Sequence, residues 1–524
     1  MTELEKELTK QLARTTTQLE IMTEQLNNQA KQIENLMNII ANINRRQFGT
    51  KSEQNQNQLS LLDDEENFPF NKAEQTASKA AETETVSYQR KKYKGQREVL
   101  TRHLPVVEKE ILLPDDRQVC SCCEHQMKRL GRKLARTELN YVPAHLEKNE
   151  YYEEAYECRE CKKNGQNNIH RSEAPKPALP KSLAGPSCLA NTIYQKLEMS
   201  LPFYRQEKEW LRHGLAVSRR TLANWHNKSL LEWGVPLYEA MKKELLQQEV
   251  LSADETVYQI LYREDGKPAT SDSRIWLFRT AETAPVPIVL YHSSETRSFA
   301  VAESFLRGFK GFLHCDGYQV YQKLPDVLLQ TCWAHVRRKF IETNDPYGQG
   351  AVGVRYCDEL FRLERIWKKE GLSGEELLVK RQTDAATLVQ HFWDWMEGLV
   401  VMKGPLRKAI NYTLKLKTSL GAFLENSQLV ISNNLAERSI RPVTVGRKNW
   451  NFSTSPEGAK ANAIGYSLIQ TAKENGLEPF RYLTWLFTEL PQQEIFQHPE
   501  RIKDYLPWSA QAKLACAMTN KIAK

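Results

Sequence analysis

Apolar residues are spaced in different ways along the chain, and each spacing predicts a different kind of element. Over 1–45, Leu8, Leu12, Thr15, Leu19, Met22, Leu26, Gln29, Ile33, Leu36, Ile40 and Ile43 alternate steps of four and three. All but Thr15 and Gln29 are apolar, and no Gly or Pro interrupts the run. A helix of roughly 40 residues spans about 60 Å. So narrow a stripe on so polar a helix needs a partner helix. An antiparallel hairpin within one chain would need an adjacent second helix, and none is evident. The pattern therefore predicts self-association through a coiled coil over 1–50, making the protein a homo-oligomer.

Periodicity vanishes over 51–88, where Gln, Asn, Asp, Glu, Ala, Ser and Thr predominate, and that stretch reads as a linker. A second linker, 165–187, carries Pro175, Pro177, Pro180 and Pro186. Helical spacing returns over 188–248. Within it, 204–228 has the pattern of a helix-turn-helix: one helix ends near Arg212, Gly214 turns, and Ser218 caps a second helix bearing Arg219, Arg220, Asn224 and His226. In such a motif the N-terminal part of the second helix meets base edges in the major groove. An ordinary helical hairpin with a basic surface would read the same way.

Spacing then switches to runs of strand length at 250–261, 274–279, 287–291, 311–316 and 327–332, with helices expected at 298–306 and 333–342. Helical spacing over 356–425 is too long for a loop, and 466–490 and the tail to Lys524 read as further helices. The fold class is thus multidomain α+β, with an α/β core interrupted by an all-helical insertion.

Composition narrows the function. The 524 residues carry 73 Lys+Arg against 65 Asp+Glu, a formal charge of +8, and a mean hydropathy of −0.60. That excess suits nucleic acid without demanding it. No apolar run of spanning length occurs and the N-terminus lacks an apolar signal region, so a cytoplasmic protein is expected, with no membrane partner. Clustered cysteines in that compartment more often bind metal than form disulfides. Cys120/Cys123 and Cys158/Cys161 form two CxxC knuckles separated by 34 residues. This is the ligand set of a four-thiolate structural zinc ribbon, with Zn–S bonds of about 2.3 Å. Cys122 and His125 remain competing ligands at the first knuckle. Arg90, Lys91, Lys92, Lys94, Arg97 and Arg102 precede the ribbon, as a solvated face or as a DNA-backbone arm.

Two strands end in, or contain, an aspartate: Asp254 in the first and Asp316 at the end of the fourth. On adjacent strands these carboxylates would repel unless a cation lay between them. Mg²⁺ suits that place, and two such ions can serve in-line displacement at phosphorus. A third carboxylate is available in 432–450, SNNLAERSIRPVTVGRKNW, where Glu437 stands among Arg438, Arg441, Arg447 and Lys448. Asn434 and Glu437 also have capping-box spacing, so the glutamate reads as a helix cap or as a metal ligand.

These blocks resemble a DDE-type transposase with a ribonuclease-H-like core, specifically the insertion-sequence sixty-six family of bacterial elements. The resemblance covers almost the whole chain. It is carried by FGTKSE, the double CxxC, PFYRQEKEWLRHG, SRRTLANW, SADET, DGYQVY, CWAHVRRKF and NNLAERSIRPVTVGRKNWNF. It implies a catalytic triad of Asp254, Asp316 and Glu437 holding two Mg²⁺ ions (or Mn²⁺), and a supporting role for Cys332 and His335 of the CxxH block, not a zinc site. It implies hydrolysis at element ends followed by transfer of the freed 3′-OH to target DNA, with no covalent enzyme–DNA link. DNA, as terminal inverted repeats and target, would be held by Arg219, Arg220, Asn224, Arg438, Arg441, Arg447 and Lys448, with salt-sensitive affinity. Trp450 would stack on a base, worth about 1–3 kcal/mol, or pack in the core. Small companion proteins of the same element and a nucleoid location are also implied. Where the family has an acidic residue before the Asn pair, this chain has Ser432, placed to cap the helix or tune the site.

The expected division is coiled coil 1–50, linker 51–88, basic arm and zinc ribbon 89–164, linker 165–187, helical DNA-binding region 188–248, core 249–345, helical insertion 346–428, core 429–475 and helical tail 476–524. Two rivals remain: a zinc-ribbon DNA-binding regulator without chemistry, and a structure-selective nuclease on the same core.

Overall fold

A computed structural model describes residues 146–157, 169–269, 271–345 and 347–518. The expected coiled coil, the linker 51–88, the basic arm and the candidate zinc ligands Cys120, Cys122, Cys123, His125, Cys158 and Cys161 lie outside the described residues. The chain divides into compact units at 1–84 and 85–524, and the described residues belong to the second. Beside the second knuckle, β1 (Ala155–Glu157) pairs antiparallel with β2 (Ile169–Arg171). Among the described residues no helix is long and apolar enough to cross a membrane.

The helices α1 (Pro186–Leu197), α2 (Phe203–Arg212) and α3 (Arg219–Ser229) follow. The turn between α2 and α3 is as the sequence predicts. Gly214 takes φ +84°, which favours a residue without Cβ, and the Ser218 hydroxyl accepts from the Thr221 amide at 3.2 Å. A π-helical turn, Leu230–Gly234, leads into α4 (Val235–Leu245).

The sheet has the order β6-β5-β3-β7-β8. Its strands are β3 (Val250–Val257), β5 (Arg274–Thr280), β6 (Val289–Ser294), β7 (Gly311–Cys315) and β8 (Val327–Thr331). β5 and β6 run antiparallel to their neighbours, whereas β7 and β8 run parallel to β3. One strand expectation is corrected. The run 250–261 is not continuous, because Tyr258 breaks it and β4 (Gln259–Ile260) pairs instead with β9 (Phe452–Ser453). Tyr258 is buried, and its hydroxyl lies 3.0 Å from the Ser453 hydroxyl, which draws the strand end off the main sheet.

Helix α5 (Phe299–Phe305) joins β6 to β7, and α6 (Trp333–Ile341) follows β8. The insertion comprises α7 (Gln349–Lys369), α8 (Gly374–Lys380), α9 (Ala386–Gly398), α10 (Pro405–Lys415) and α11 (Lys417–Gly421). After it come α12 (Asn434–Trp450), α13 (Pro456–Glu474), α14 (Pro479–Glu489) and α15 (Ala510–Cys516).

Two apolar cores result. The larger joins α1, α3 and α4 to the sheet and to α13 and α14, so the predicted DNA-binding helices share their core with the strands. Close approach makes this possible: a Cβ on Gly234 would lie 2.7 Å from Ile464 of α13. The second core is the insertion's own, with Trp333 and Phe340 of α6 packed among Phe392, Trp393 and Phe423. Arg381 holds it together. Its guanidinium is buried, forks onto the Glu364 carboxylate at 2.8 Å through Nε and Nη2, and donates to the Phe423 carbonyl at 3.3 Å.

Candidate active site

Register brings the two aspartates level. On the parallel pair β3–β7, Ser252 is opposite His314, and Asp254 and Asp316 each lie two residues further on. Asp254 Oδ1 accepts the Glu255 amide at 2.8 Å, and Asp316 Oδ1 accepts the Tyr318 amide at 3.0 Å. Glu437 arrives on α12, which packs across β3. Burial, then the negative charges of Glu255, Asp316 and Glu437, push the Asp254 carboxyl well above the ordinary carboxylate range. Burial raises Asp316 as well, opposed by the Tyr318 amide and by Arg297. Negative charge from three elements thus acts on Asp254, while Arg297 offsets part of it at Asp316. The donors are carboxylate oxygens, which suit Mg²⁺.

The helix start differs from expectation. Asn433, not Asn434 or Ser432, occupies the N-cap, and its side chain does not cap the helix. Its amide donates instead to the Ala253 carbonyl at 2.9 Å. A capping role for Asn434 therefore does not account for Glu437.

Sequence reasoning missed a second layer. Strand alternation turns Glu255 to the opposite face from Asp254, where its side chain is 2 % exposed and paired with Arg297. Arg297 Nε donates to Glu255 at 2.8 Å and the Tyr321 hydroxyl donates at 2.7 Å. Arg297 also stacks on Tyr318, at 3.6 Å from the ring centroid, and its carbonyl accepts the Tyr318 hydroxyl at 2.9 Å. This network braces the turn after Asp316. The legible signal was a charged residue inside a strand on its buried face; nothing in the sequence marked Arg297 as its partner. The insertion reaches the same turn, for a Cβ on Gly317 would lie 2.8 Å from the Tyr412 hydroxyl.

Cys332 and His335 do adjoin the carboxylates. His335 Nε2 is 3.8 Å from Glu437 Oε1, and Cys332 Sγ accepts the Asn433 amide at 3.2 Å. Burial pushes the thiol up to about 11 and lowers the imidazole, against the pull of Glu437.

The predicted DNA contacts separate. Arg219, Arg220 and Asn224 are exposed on α3, as are Arg438 and Lys448 on α12, while Arg441 is half-buried. Arg447 is turned to β3, donating to the Thr256 hydroxyl at 2.8 Å and to the Val257 carbonyl. Trp450 is half-buried against the larger core. His226, on the same helix as Arg219, is fully buried and bonded to Asn462 at 2.9 Å.

Fold and site define a mixed α/β protein with buried acidic residues on the central strand of its sheet and at the end of the neighbouring strand. The family model described as Transposase IS66 family matches residues 181–461, more than half of the chain, and the chain belongs to that family. The IS66 C-terminal element matches 467–508, the zinc-finger binding domain of transposase IS66 matches 117–162, and the leucine-zipper-like model described as Transposase C of IS166 homeodomain matches 35–108. Similar proteins include y4hP of Sinorhizobium fredii, 28 % identical over 80 % of this chain and 77 % of its own. Another is y4qI of the same organism, 28 % identical over 91 % and 89 % respectively. Both are described as uncharacterized. Family membership implies a DNA-transposition enzyme that binds DNA, with structural zinc in its zinc-finger domain and a divalent metal for its chemistry.

Proposed function

We propose that the protein is a DDE transposase with a ribonuclease-H-like core, which cuts DNA at the ends of its element and joins them to target DNA. The observation that supports this reading is that Asp316, at the end of β7, and Glu437, on α12, both act by their charge on buried Asp254 of β3. Strand order β6-β5-β3-β7-β8, with an antiparallel arm and two parallel strands, supports the core assignment.

These three carboxylates would hold two Mg²⁺ ions. Such ions, when bound, activate the attacking oxygen and stabilise the leaving oxygen. The chain's own residues set the geometry. Asn433 fixes α12 against β3, and the Glu255–Arg297–Tyr321 network fixes the Asp316 turn. Arg438, next to Glu437, and Lys448, further along the same helix, are exposed and would hold the DNA backbone, and Arg219, Arg220 and Asn224 would contact the terminal repeats. Water attacks first, and the released 3′-OH attacks second, so no protein nucleophile is needed. The heptads of 1–50 would pair chains so that two element ends are handled together in the bacterial cytoplasm, at the nucleoid, with companion proteins of the element as further partners.

The test uses full-length protein, Mg²⁺ and a labelled element end. Joined product is expected, and its loss in Asp254→Asn, Asp316→Asn and Glu437→Gln. Cleavage without joining would favour a nuclease, and binding without either would favour a regulator.

A further inference from the structure

Cys332, His335 and Glu437 each offer a donor atom, and the three atoms lie within 4.8 Å of one another. We infer that they form a second kind of metal site, for a borderline transition ion such as Zn²⁺, which competes with the oxygen-ligated centre for Glu437. The consequence for activity rests on the role proposed above for Glu437; the binding itself does not.

The donor types decide the ion. Thiolate, imidazole and carboxylate together suit Zn²⁺ or Co²⁺ and do not suit Mg²⁺, which takes oxygen ligands. Three protein donors with one open position is the arrangement of a reactive zinc centre rather than a closed structural one. Zinc bonds of about 2.0–2.3 Å bring donors to roughly 3–4 Å from each other, so only a small closure of the present spacing is needed.

The scaffold is already built. Cys332 is the N-cap of α6 and His335 lies in its first turn, so both side chains leave the same end of one helix. That end is tied to the approach of α12 by the Trp333 amide, which donates to the Ile431 carbonyl at 2.8 Å. The Asn433 amide donates to Cys332 Sγ at 3.2 Å and would stabilise a thiolate there. A separate observation points to a missing ligand: buried Nδ1 of His335 and buried Oε1 of Glu437 have no hydrogen-bond partner among the described residues. Binding would release the thiol proton to solvent and form a sulfur–metal bond, with no change of oxidation state.

Shared use of Glu437 gives the site a function. An ion held by Cys332 and His335 would draw the carboxylate towards α6 and away from Asp254 and Asp316. Zinc would then switch the magnesium-supported reaction off.

The experiment titrates Co²⁺ into the full-length chain carrying one equivalent of zinc for its zinc-finger domain, comparing wild type with Cys332→Ser and His335→Gln. Wild type should bind one more cobalt per chain than Cys332→Ser and show a stronger sulfur-to-cobalt absorption band. Any cobalt in the zinc finger is common to both and cancels. His335→Gln alters a side chain that is about a quarter exposed and keeps the thiol, so it tests the site even if Cys332→Ser melts early. Losing one ligand should raise the zinc concentration that inhibits cleavage by at least about tenfold, since even outer-shell partners are worth 10–100-fold in affinity. Asp254→Asn should abolish cleavage yet keep the cobalt band, which separates this site from the catalytic assignment. Equal cobalt uptake and equal spectra in wild type and both variants would overturn the inference.

Discussion

Asn433 donates its side-chain amide to the backbone carbonyl of Ala253 at 2.9 Å, linking the residue that begins the Glu437 helix to the residue before Asp254. Two carboxylates far apart in sequence are therefore held by one buried hydrogen bond. Asn433→Ala should leave the Ala253 carbonyl unpaired at a cost of about 1–3 kcal/mol. It should reduce cleavage more than DNA binding. Denaturant unfolding, gel-shift and cleavage assays on one preparation check this.

Repulsion around Asp254 predicts a response to magnesium. Without the ion, ionisation of Asp254 is opposed by burial and by the charges of Glu255, Asp316 and Glu437. A carboxyl raised in the folded state contributes stability that is present below its unfolded value and is lost as pH rises through the folded one. Magnesium-free wild type should therefore weaken as pH rises through that range. Asp254→Asn should be more stable than wild type there, and magnesium should raise the melting temperature of wild type alone. Thermal melts with and without Mg²⁺ across pH decide it.

Lys196 gives a separate pH dependence, away from the site. Burial lowers its ammonium to about 7, while the rings of Phe203 and Trp450, at 4.0 and 5.1 Å, favour the charged form. Its folded value lies below the unfolded one of about 10.4, so its contribution is fully present at high pH and falls as pH drops towards 7. The slope is at most about 1.4 kcal/mol per pH unit. Lys196→Met should flatten the curve between pH 7 and 10, read by denaturant unfolding.

Gly317 lies under Tyr412 of the insertion, and an added Cβ would come within 2.8 Å of that hydroxyl and 2.9 Å of Leu416. Gly317→Ala should displace the Asp316 turn, costing about 1–3 kcal/mol by overpacking, and should cut activity. Adding Tyr412→Ala should restore part of it. Two equally inactive proteins would instead mean that the glycine serves the turn's own backbone.

Arg381 predicts the integrity of the insertion. Removing one partner of a buried pair costs about 3–5 kcal/mol, so Arg381→Ala should release the insertion helices first. Arg381→Lys should not rescue it, because an ammonium cannot make the two-pronged contact with Glu364. Hydrogen exchange localised to 349–424 is the readout.

Much of this molecule was legible along the chain, because the signals are local. Period-two runs gave the strands of the sheet, although they hid the break at Tyr258. Gly214 and Ser218 marked the turn and cap between α2 and α3 through backbone requirements that one or two residues meet by themselves. Asp254, Asp316 and Glu437 were proposed from residue type, element type and resemblance to a family whose model matches more than half of the chain.

Tertiary structure decided what depends on distance across the chain. The register of β3 on β7 makes two aspartates level, and no local pattern encodes a parallel register. Glu255 could be seen, but Arg297 and Tyr321 become its partners only when three separate segments converge. Arg447 reads as a phosphate contact from its place among the cations of 432–450, yet β3 occupies its guanidinium. Asn434 had the spacing of a cap, but the neighbouring Asn433 takes that position because its amide is needed by Ala253. Sequence fixes which groups a segment carries and which period they follow. Which of them meet, and whether they meet water, a cation or one another, is set by long-range packing alone.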